Sequence, residues 1–219
     1  VTGVLTCALP ILTEKEKQRF EGLWRFDIEK GQGRPVYGMD EVGRGPLAGP
    51  VVAACVWMPE TWIEGVKDSK KIAEKKRERI AEEIKEKALA YGIGSADVAE
   101  IERLNILNAT KLAMQRAYEQ MPKQDSYVLI DAIDPAFLPA KGEGVVKRDA
   151  QSYAIAAASI LAKVTRDALM KAYELDYPGY GWAQNKGYGT KQHIEAICRQ
   201  GITPQHRPSF LRGILHDTQ

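Results

Sequence analysis

A glycine-rich connection between two apolar runs constrains the fold more than any other feature of this chain. Residues 36–39 and 51–58 are rich in β-branched and other apolar side chains, a composition that predicts strands. The residues between them include Gly43, Gly45, Gly49 and Pro50. Because glycine and proline punctuate regular structure, we expect two strands joined by a tight, glycine-rich connection.

The rest of the chain alternates between helical and strand patterns. Thr13 followed by Glu16 is a helix-capping pattern, and the glycine-containing segment 31–35 breaks the helix that it starts. Further helices are predicted at 70–87 (capped by Asp68 and Ser69), 106–121, 150–176 and 191–200, and further strands at 88–96, 127–130 and 144–147. The segment 181–189 is predicted to be a loop. This mixture predicts an α/β or α+β fold with helices on the faces of a sheet.

Two of these helices carry apolar stripes that predict buried faces. One stripe consists of Leu107, Met114, Ala117 and Met121. The other consists of small or apolar residues in the longest helix: Ala154, Ala157, Ala158, Leu161, Val164 and Ala168. Small side chains allow a helix to pack closely on a sheet.

Composition and charge exclude several classes of protein. The 219 residues include 31 Lys and Arg against 29 Asp and Glu, so any basic surface must be local. No apolar run approaches the roughly 18 residues of a membrane span. The three cysteines, Cys7, Cys55 and Cys198, form no Cys-x-x-Cys pair, and the three histidines show no zinc-binding spacing. We expect a cytoplasmic protein without a membrane contact, a single domain over 12–219, and a non-native or disordered leader at 1–11.

Four carboxylates follow short apolar strands. Asp40 and Glu41 end the first strand, and Asp131 and Asp149 follow two later ones. Four such groups repel one another unless cations neutralise them, and an oxygen-only set suits Mg²⁺ or Mn²⁺. Neighbours on a strand point to opposite faces, so Asp40 and Glu41 can share a site only if the backbone turns sharply, as Gly43 would permit. The alternatives are a solvated acidic turn at Asp40 and Glu41, a turn at Asp131, and a helix cap at Asp149.

Candidate phosphate contacts lie nearby in the sequence. Arg44 stands between Gly43 and Gly45, where a ligand can approach the backbone and a guanidinium suits phosphate. A hairpin turn is the alternative. The basic run 67–79 is a second candidate, although such runs are more often solvated helix faces. A weaker signal is a group of aromatic residues near lysines, a mixture that can stack on nucleotides: Tyr180, Trp182 and Tyr188.

Six motifs together closely resemble those of bacterial ribonuclease HII. The longest reads Tyr-Gly-Met-Asp-Glu-Val-Gly-Arg-Gly-Pro-Leu-Ala-Gly-Pro-Val-Val at residues 37–52. The others follow in family order at 68–71, 129–132, 157–167, 185–190 and 206–210. The resemblance implies a ribonuclease H-like α/β fold, with a five-stranded mixed sheet flanked by helices and a short helical C-terminal extension over about 177–219.

The resemblance also implies roles for individual residues. Asp40, Glu41, Asp131 and Asp149 match catalytic carboxylates that bind two Mg²⁺ or Mn²⁺ ions. Gly43, Arg44 and Gly45 match the motif that senses the ribose 2′-hydroxyl, Tyr188 matches a tyrosine at the RNA–DNA junction, and Ser69 and Lys70 resemble phosphate contacts. Asp167 is left as structural. One departure from the family pattern is Arg148, which stands next to Asp149 where the family usually has glycine.

The implied activity is cleavage on the 5′ side of a ribonucleotide. The substrates would be RNA–DNA hybrids and duplex DNA with an embedded ribonucleotide. The products would carry 3′-hydroxyl and 5′-phosphate ends, and the enzyme would act as a monomer. One alternative is a ribonuclease HIII-like nuclease, which the Gly43–Arg44–Gly45 run and the 39 residues before Asp40 disfavour. The other is a catalytically silent nucleic-acid-binding module, which the presence of all four carboxylates disfavours.

Overall fold

The computed structural model describes residues 13–66, 72–145 and 151–216. The strands are β1 (Val36–Val42), β2 (Val51–Trp57), β3 (Ala90–Ala96), β4 (Tyr127–Asp131) and β5 (Lys141–Val145). The helices are α1 (Glu14–Gly31), α2 (Glu74–Lys87), α3 (Val98–Leu104), α4 (Ile106–Tyr118), α5 (Tyr153–Asp176), α6 (Trp182–Asn185), α7 (Lys191–Gln200) and α8 (Pro208–His216), with a 3-10 turn at Pro135–Phe137. The leader expected at 1–11 lies outside the described residues.

The described strands form one five-stranded sheet in the order β3-β2-β1-β4-β5. β1 and β2 are antiparallel, as are β2 and β3, whereas β4 runs parallel to both β1 and β5. The predicted five-stranded mixed sheet is therefore confirmed. Met39 pairs with Ile130, which places the next residues, Asp40 and Asp131, beside each other where the two parallel strands end.

Helices cover both faces of the sheet at very short range. On one face, a Cβ added to Gly38 of β1 would lie 2.1 Å from the carbonyl carbon of Ala154 in α5. On the other face, a Cβ on Gly92 or Gly94 of β3 would lie 2.1 Å from a carbonyl oxygen of α4. The glycines of the strands and the alanines of α5 thus permit the close helix-on-sheet packing expected from the small-residue stripe.

Two residues of the predicted stripes are exposed. Leu107 is 44% exposed, because the buried stripe of α4 runs through Ile106, Ala109, Ala113 and Ala117 instead. Ala168 is exposed because the last turns of α5 extend past the sheet, where Met170 becomes the buried residue and packs on the C-terminal cluster.

Two helices begin later than predicted, and α4 ends at Tyr118 rather than at residue 121. α2 begins at Glu74 rather than at residue 70, since Ala73 has an extended backbone and no side chain caps the helix; the predicted caps Asp68 and Ser69 lie outside the described residues. α5 begins at Tyr153, where the Ser152 hydroxyl accepts a hydrogen bond from the Ile155 N–H at 3.1 Å. Ser152 is therefore the cap of this helix, and Asp149 lies outside the described residues. The capping box of Thr13 and Glu16 on α1 is confirmed.

Other boundaries were shifted or missed because their sequences carry weak patterns. β5 begins at Lys141 instead of Gly144, since two glycines and a glutamate hide its strand character. The segment 181–189 contains α6, and α3 and α8 were not predicted as separate helices.

The C-terminal extension has a small core of its own. Tyr180 and Trp182 are 4% and 0% exposed and pack with Met170, Ala196 and Leu211. The suggestion that these two aromatic residues stack on nucleotides is therefore wrong, because their rings are core groups. No helix in the described ranges is long and apolar enough to cross a bilayer.

Candidate active site

Asp40 and Asp131 form the centre of the candidate site, at the carboxyl ends of β1 and β4. Asp40 is 9% exposed, its Oδ1 accepts a hydrogen bond from the Glu41 N–H at 2.7 Å, and its carboxylate also accepts one from the Ser159 hydroxyl on α5. Burial raises the pKa of Asp40 well above its usual value, and the negative charges of Glu41 and Asp131 raise it further. The structure thus brings three predicted carboxylates within electrostatic reach of one another.

Glu41 leaves β1 on the opposite face from Asp40. The strand stays regular through this pair, since Asp40 lies opposite Ala54 and Glu41 opposite Ala53. The chain does not turn between the two carboxylates; it turns after Val42, at Gly43, whose φ is +95°. The sharp turn that the sequence pattern required for a shared site is not needed, since, besides burial, the charge of Glu41 raises the pKa of Asp40 and the charge of Asp131 raises the pKa of both. The regular pairing with β2 continues to Val42, and this pairing keeps the strand straight.

The Glu41 carboxylate is held on one side only. Its Oε1 lies 3.4 Å from Nη1 of Arg44, whereas its Oε2 is buried and has no hydrogen-bond partner in the structure. Burial raises the pKa of Glu41, and the Arg44 guanidinium counters part of that rise. A buried carboxylate oxygen without a donor is costly unless a further cation or donor completes its surroundings.

The described carboxylates fit a divalent cation by chemistry. They offer only oxygen ligands, carry mutually repelling charges and include one orphaned oxygen, features that a hard cation relieves. Within the described ranges no three Asp, Glu, His or Cys side chains stand as a ready-made metal cluster. Asp149, the fourth predicted ligand, lies outside those ranges.

A loop of residues 43–49, which we call the glycine loop, adjoins the carboxylates through Arg44. Gly45 is exposed, and a Cβ placed on it would lie 3.9 Å from Cε1 of the Tyr188 ring. Tyr188 itself is 44% exposed. The structure therefore brings Gly43, Arg44, Gly45 and Tyr188 together, whereas Ser69 and Lys70 lie outside the described residues.

Comparison with known proteins identifies the family. The family model for ribonuclease HII matches residues 37–213. A ribonuclease HII of Clostridioides difficile (strain 630) is 51% identical over 204 residues, which cover 92% of this chain and 80% of the relative. A ribonuclease HII of Caldanaerobacter subterraneus subsp. tengcongensis is 47% identical over 215 residues, covering 96% and 89%. The chain belongs to the ribonuclease HII family. It is therefore a ribonuclease H, a hydrolase that acts as an endonuclease.

Solved structures support the ribonuclease H-like fold. Ribonuclease H2 from Pyrococcus horikoshii OT3 superposes with a TM-score of 0.66 at 28% identity and covers 84% of this chain and 98% of its own. A ribonuclease HIII (Bst-RNase HIII) solved with Mn²⁺ gives a TM-score of 0.69 at 19% identity, covering 89% and 73%. The second likeness concerns the fold alone.

In this member of the ribonuclease HII family, two buried arginines contact the glycine loop. The sequence patterns assigned no role to either of them. Arg166 and Arg207 are both 0% exposed, and both donate hydrogen bonds to backbone carbonyls of the loop or its flanks. Both lie in motifs that resemble those of ribonuclease HII, and this resemblance is the feature of the sequence that could have pointed to them. Sequence alone did not distinguish them from surface arginines.

The described part of the basic run, residues 72–79, is divided between the surface and the interior. Arg77 is buried and lies 3.4 Å from Asp167, which also accepts a hydrogen bond from Lys163 at 2.6 Å. This network gives Asp167 the structural role that was expected of it. Lys75 and Arg79 remain exposed on α2.

Proposed function

We propose that this ribonuclease cuts the phosphodiester bond on the 5′ side of a ribonucleotide, in RNA–DNA hybrids and at single ribonucleotides within duplex DNA. The products carry 3′-hydroxyl and 5′-phosphate ends. The observation that carries the proposal is the link between the carboxylates and the glycine loop, where Arg44 lies 3.4 Å from Glu41. One continuous site thus holds the groups that do the chemistry and the groups that recognise the sugar.

Asp40, Glu41 and Asp131 hold divalent cations in this proposal, and Asp149 completes the set. The donor chemistry favours Mg²⁺ or Mn²⁺, and a ribonuclease HIII of the same fold was solved with Mn²⁺. A pair of such cations, when bound, lowers the pKa of the attacking water and stabilises the oxygen that leaves.

The surrounding residues keep the carboxylates in place and offset part of the rise in their pKa values. Ser159 and the Glu41 N–H each donate a hydrogen bond to Asp40, and these bonds oppose the rise in its pKa. Arg44 does the same for Glu41. A divalent cation held by Asp40, Glu41 and Asp131 would favour their charged forms.

Selection of the ribonucleotide is assigned to the glycine loop and Tyr188. The 2′-hydroxyl is both a donor and an acceptor, and it distinguishes RNA from DNA at a given position. Gly43, Arg44 and Gly45 present backbone groups to it, and the exposed Tyr188 ring packs at the junction. Ser69, Lys70, Lys75 and Arg79 contact phosphates, so binding weakens as salt rises. We further propose that the enzyme acts as a monomer in the cytoplasm.

The test compares Asp131→Asn with Asp134→Asn. Both substitutions remove one negative charge, but Asp134 is exposed and caps the 3-10 turn, a role that asparagine can also fill. We expect Asp131→Asn to cut an RNA–DNA hybrid at least about 10³-fold more slowly while still binding it, because cation placement is lost. Asp134→Asn should cut at the wild-type rate. Equal rates for Asp131→Asn and the wild type would refute the assignment.

A further inference from the structure

We propose that Arg207 is a positioning residue for ribonucleotide recognition. It lies in the C-terminal extension, away from the carboxylates in sequence, and it holds the glycine loop so that the N–H groups of Arg44 and Gly45 face the nucleic acid. The inference rests on the proposed function, because it assigns a cause to the geometry of the loop that senses the ribose.

The guanidinium of Arg207 makes five hydrogen bonds to four carbonyl oxygens of the glycine loop. Nη2 donates to Gly43 O and Gly49 O at 2.7 Å each, and Nε donates to Gly49 O at 3.0 Å. Nη1 donates to Arg44 O at 3.0 Å and to Pro46 O at 2.9 Å. A single side chain therefore fixes the direction of most of the peptide groups in the loop.

Because the peptide group is planar, the direction of each carbonyl fixes the direction of the N–H that follows it. In a trans peptide the carbonyl and the following N–H point in opposite directions. Because the carbonyls of Gly43 and Arg44 point at the buried guanidinium, the N–H groups of Arg44 and Gly45 point away from it, toward the exposed side of the loop. In the described structure neither N–H donates a hydrogen bond. The pair is thus available to an oxygen of the substrate.

No carboxylate among the described residues forms an ion pair with Arg207; besides the loop carbonyls, its guanidinium lies 5.1 Å from the centroid of the Phe210 ring. Burial, followed by the nearby Arg166, lowers the pKa of Arg207 to about 9, so it remains a cation at neutral pH. The carbonyl oxygens of the glycine loop therefore replace the water that the guanidinium loses. A change in loop conformation would leave a buried charge unsolvated, so the guanidinium and the loop stabilise one conformation together.

The backbone of the extension sets the position of Arg207. The Arg207 N–H donates to Leu47 O and the Gly49 N–H donates to Gln205 O, both at 2.8 Å. The Leu47 N–H in turn donates to Gly187 O at 2.8 Å, next to Tyr188. The same frame therefore carries both the glycine loop and the tyrosine at its side.

Arg166 provides a matched control. It is as buried as Arg207 and also donates to backbone carbonyls, at Ala48, Pro50 and Lys186, but not to those of Gly43 or Arg44. Its replacement should destabilise the fold to a similar degree without releasing the two N–H groups.

The experiment compares Arg207→Lys and Arg166→Lys by two readouts. The first is kcat/KM on a DNA duplex with one ribonucleotide, and the second is Kd for an all-DNA duplex of the same sequence. A lysine keeps the charge but cannot reach four carbonyls. We expect Arg207→Lys to lower kcat/KM about 10²-fold and to leave Kd within about twofold, since misplaced recognition groups affect the reaction more than duplex affinity. Arg166→Lys should lower kcat/KM by less than about tenfold.

Equal losses of kcat/KM in the two variants, or a Kd that weakens as much as kcat/KM, would overturn the inference. If Arg207→Lys does not fold, as judged by its melting transition, hydrogen exchange at the Arg44 and Gly45 amides of the wild type tests the inference instead. The Arg44 and Gly45 amides should exchange rapidly in the free protein and become protected by the ribonucleotide duplex but not by the all-DNA duplex. Protection already present in the free protein would overturn the inference. A wild type that leaves the ribonucleotide duplex uncut would instead refute the proposed function.

Discussion

His206 donates a hydrogen bond from its Nε2 to Nε2 of His193, 3.2 Å away, inside the C-terminal extension. The neighbouring bonds fix both protons. Nδ1 of His206 accepts from the Thr203 N–H at 2.9 Å, so its proton is on Nε2. Nδ1 of His193 faces the Tyr188 carbonyl at 2.9 Å and must donate, so its Nε2 accepts from His206 and from Trp182. Both imidazoles are therefore neutral in the folded protein.

This pair predicts a loss of stability in acid. Burial, followed by the nearby His193, lowers the pKa of His206 from 6.5 to about 4. Because the unfolded chain binds this proton more readily, the contribution of neutral His206 to the free energy of unfolding is present above pH 6.5 and is lost as the pH falls toward 4. Between about pH 7.5 and pH 5 it removes about 2 kcal/mol from the free energy of unfolding. His206→Asn keeps an acceptor for Thr203 and should remove the His206 contribution, leaving within the pair only that of His193, whose pKa burial also lowers. Urea unfolding at both pH values measures the change. An unchanged dependence in the variant would be evidence against the neutral pair.

Asp27 predicts the opposite dependence. Its Oδ2 accepts a hydrogen bond from the Ala154 N–H at 2.9 Å, and burial raises its pKa from 3.8 to about 7. The folded protein binds the Asp27 proton more tightly than the unfolded chain does. The contribution of protonated Asp27 to the free energy of unfolding is therefore present below pH 3.8 and is lost as the pH rises through 7. From about pH 5 to pH 8 the loss is about 3 kcal/mol.

Asp27→Asn separates the two contributions. Asparagine keeps an acceptor for Ala154 but does not titrate, so the variant should gain stability relative to the wild type as the pH rises from about 5 to 8. Because Asp27 and His206 act in opposite directions, the wild type should depend less on pH than either variant. A constant difference between Asp27→Asn and the wild type would show that Asp27 is ionised in both states.

Gly38 predicts a strong steric limit beneath α5. An alanine Cβ there would lie 2.1 Å from the Ala154 carbonyl carbon, so α5 would have to move away from the sheet. We expect Gly38→Ala to destabilise the protein by about 3 kcal/mol or more. Gly22→Ala is the control, since nothing lies within 4 Å of its added Cβ and alanine favours the helix by about 0.5–1 kcal/mol. Thermal melts of the two variants should shift in opposite directions, and a neutral Gly38→Ala would contradict the packing.

Tyr188 predicts a ring-dependent contribution to cleavage. Its exposed ring lies beside Gly45, so removal of the ring should weaken the fit of the junction. We expect Tyr188→Ala to lose about 1–3 kcal/mol of transition-state stabilisation on a hybrid substrate, the amount typical of one base stack. Tyr188→Phe, which keeps the ring, should lose much less. Equal losses would assign the effect to the hydroxyl.

The carboxyl-end placement of Asp40 and Asp131 was predictable because both follow short apolar runs, and parallel strands end at one edge of a sheet. The surroundings of the site were not. A buried arginine that solvates carbonyls, such as Arg207, has the same sequence pattern as a surface arginine, and its role depends on a contact with residues about 160 positions away. The aromatic residues near 180 show the same limit, since composition does not say which ring is buried. The sequence of β5 is rich in glycine and has no strand pattern of its own. It forms a strand because it pairs with β4.

The most direct test of the account is cleavage of a DNA duplex that carries one ribonucleotide, mapped at nucleotide resolution with and without Mg²⁺ or Mn²⁺. An all-DNA duplex of the same sequence is the control. The account predicts a cation-dependent nick immediately 5′ of the ribonucleotide and no cut in the control. Cleavage restricted to long RNA tracts, or a nick that forms equally without the cation, would contradict it.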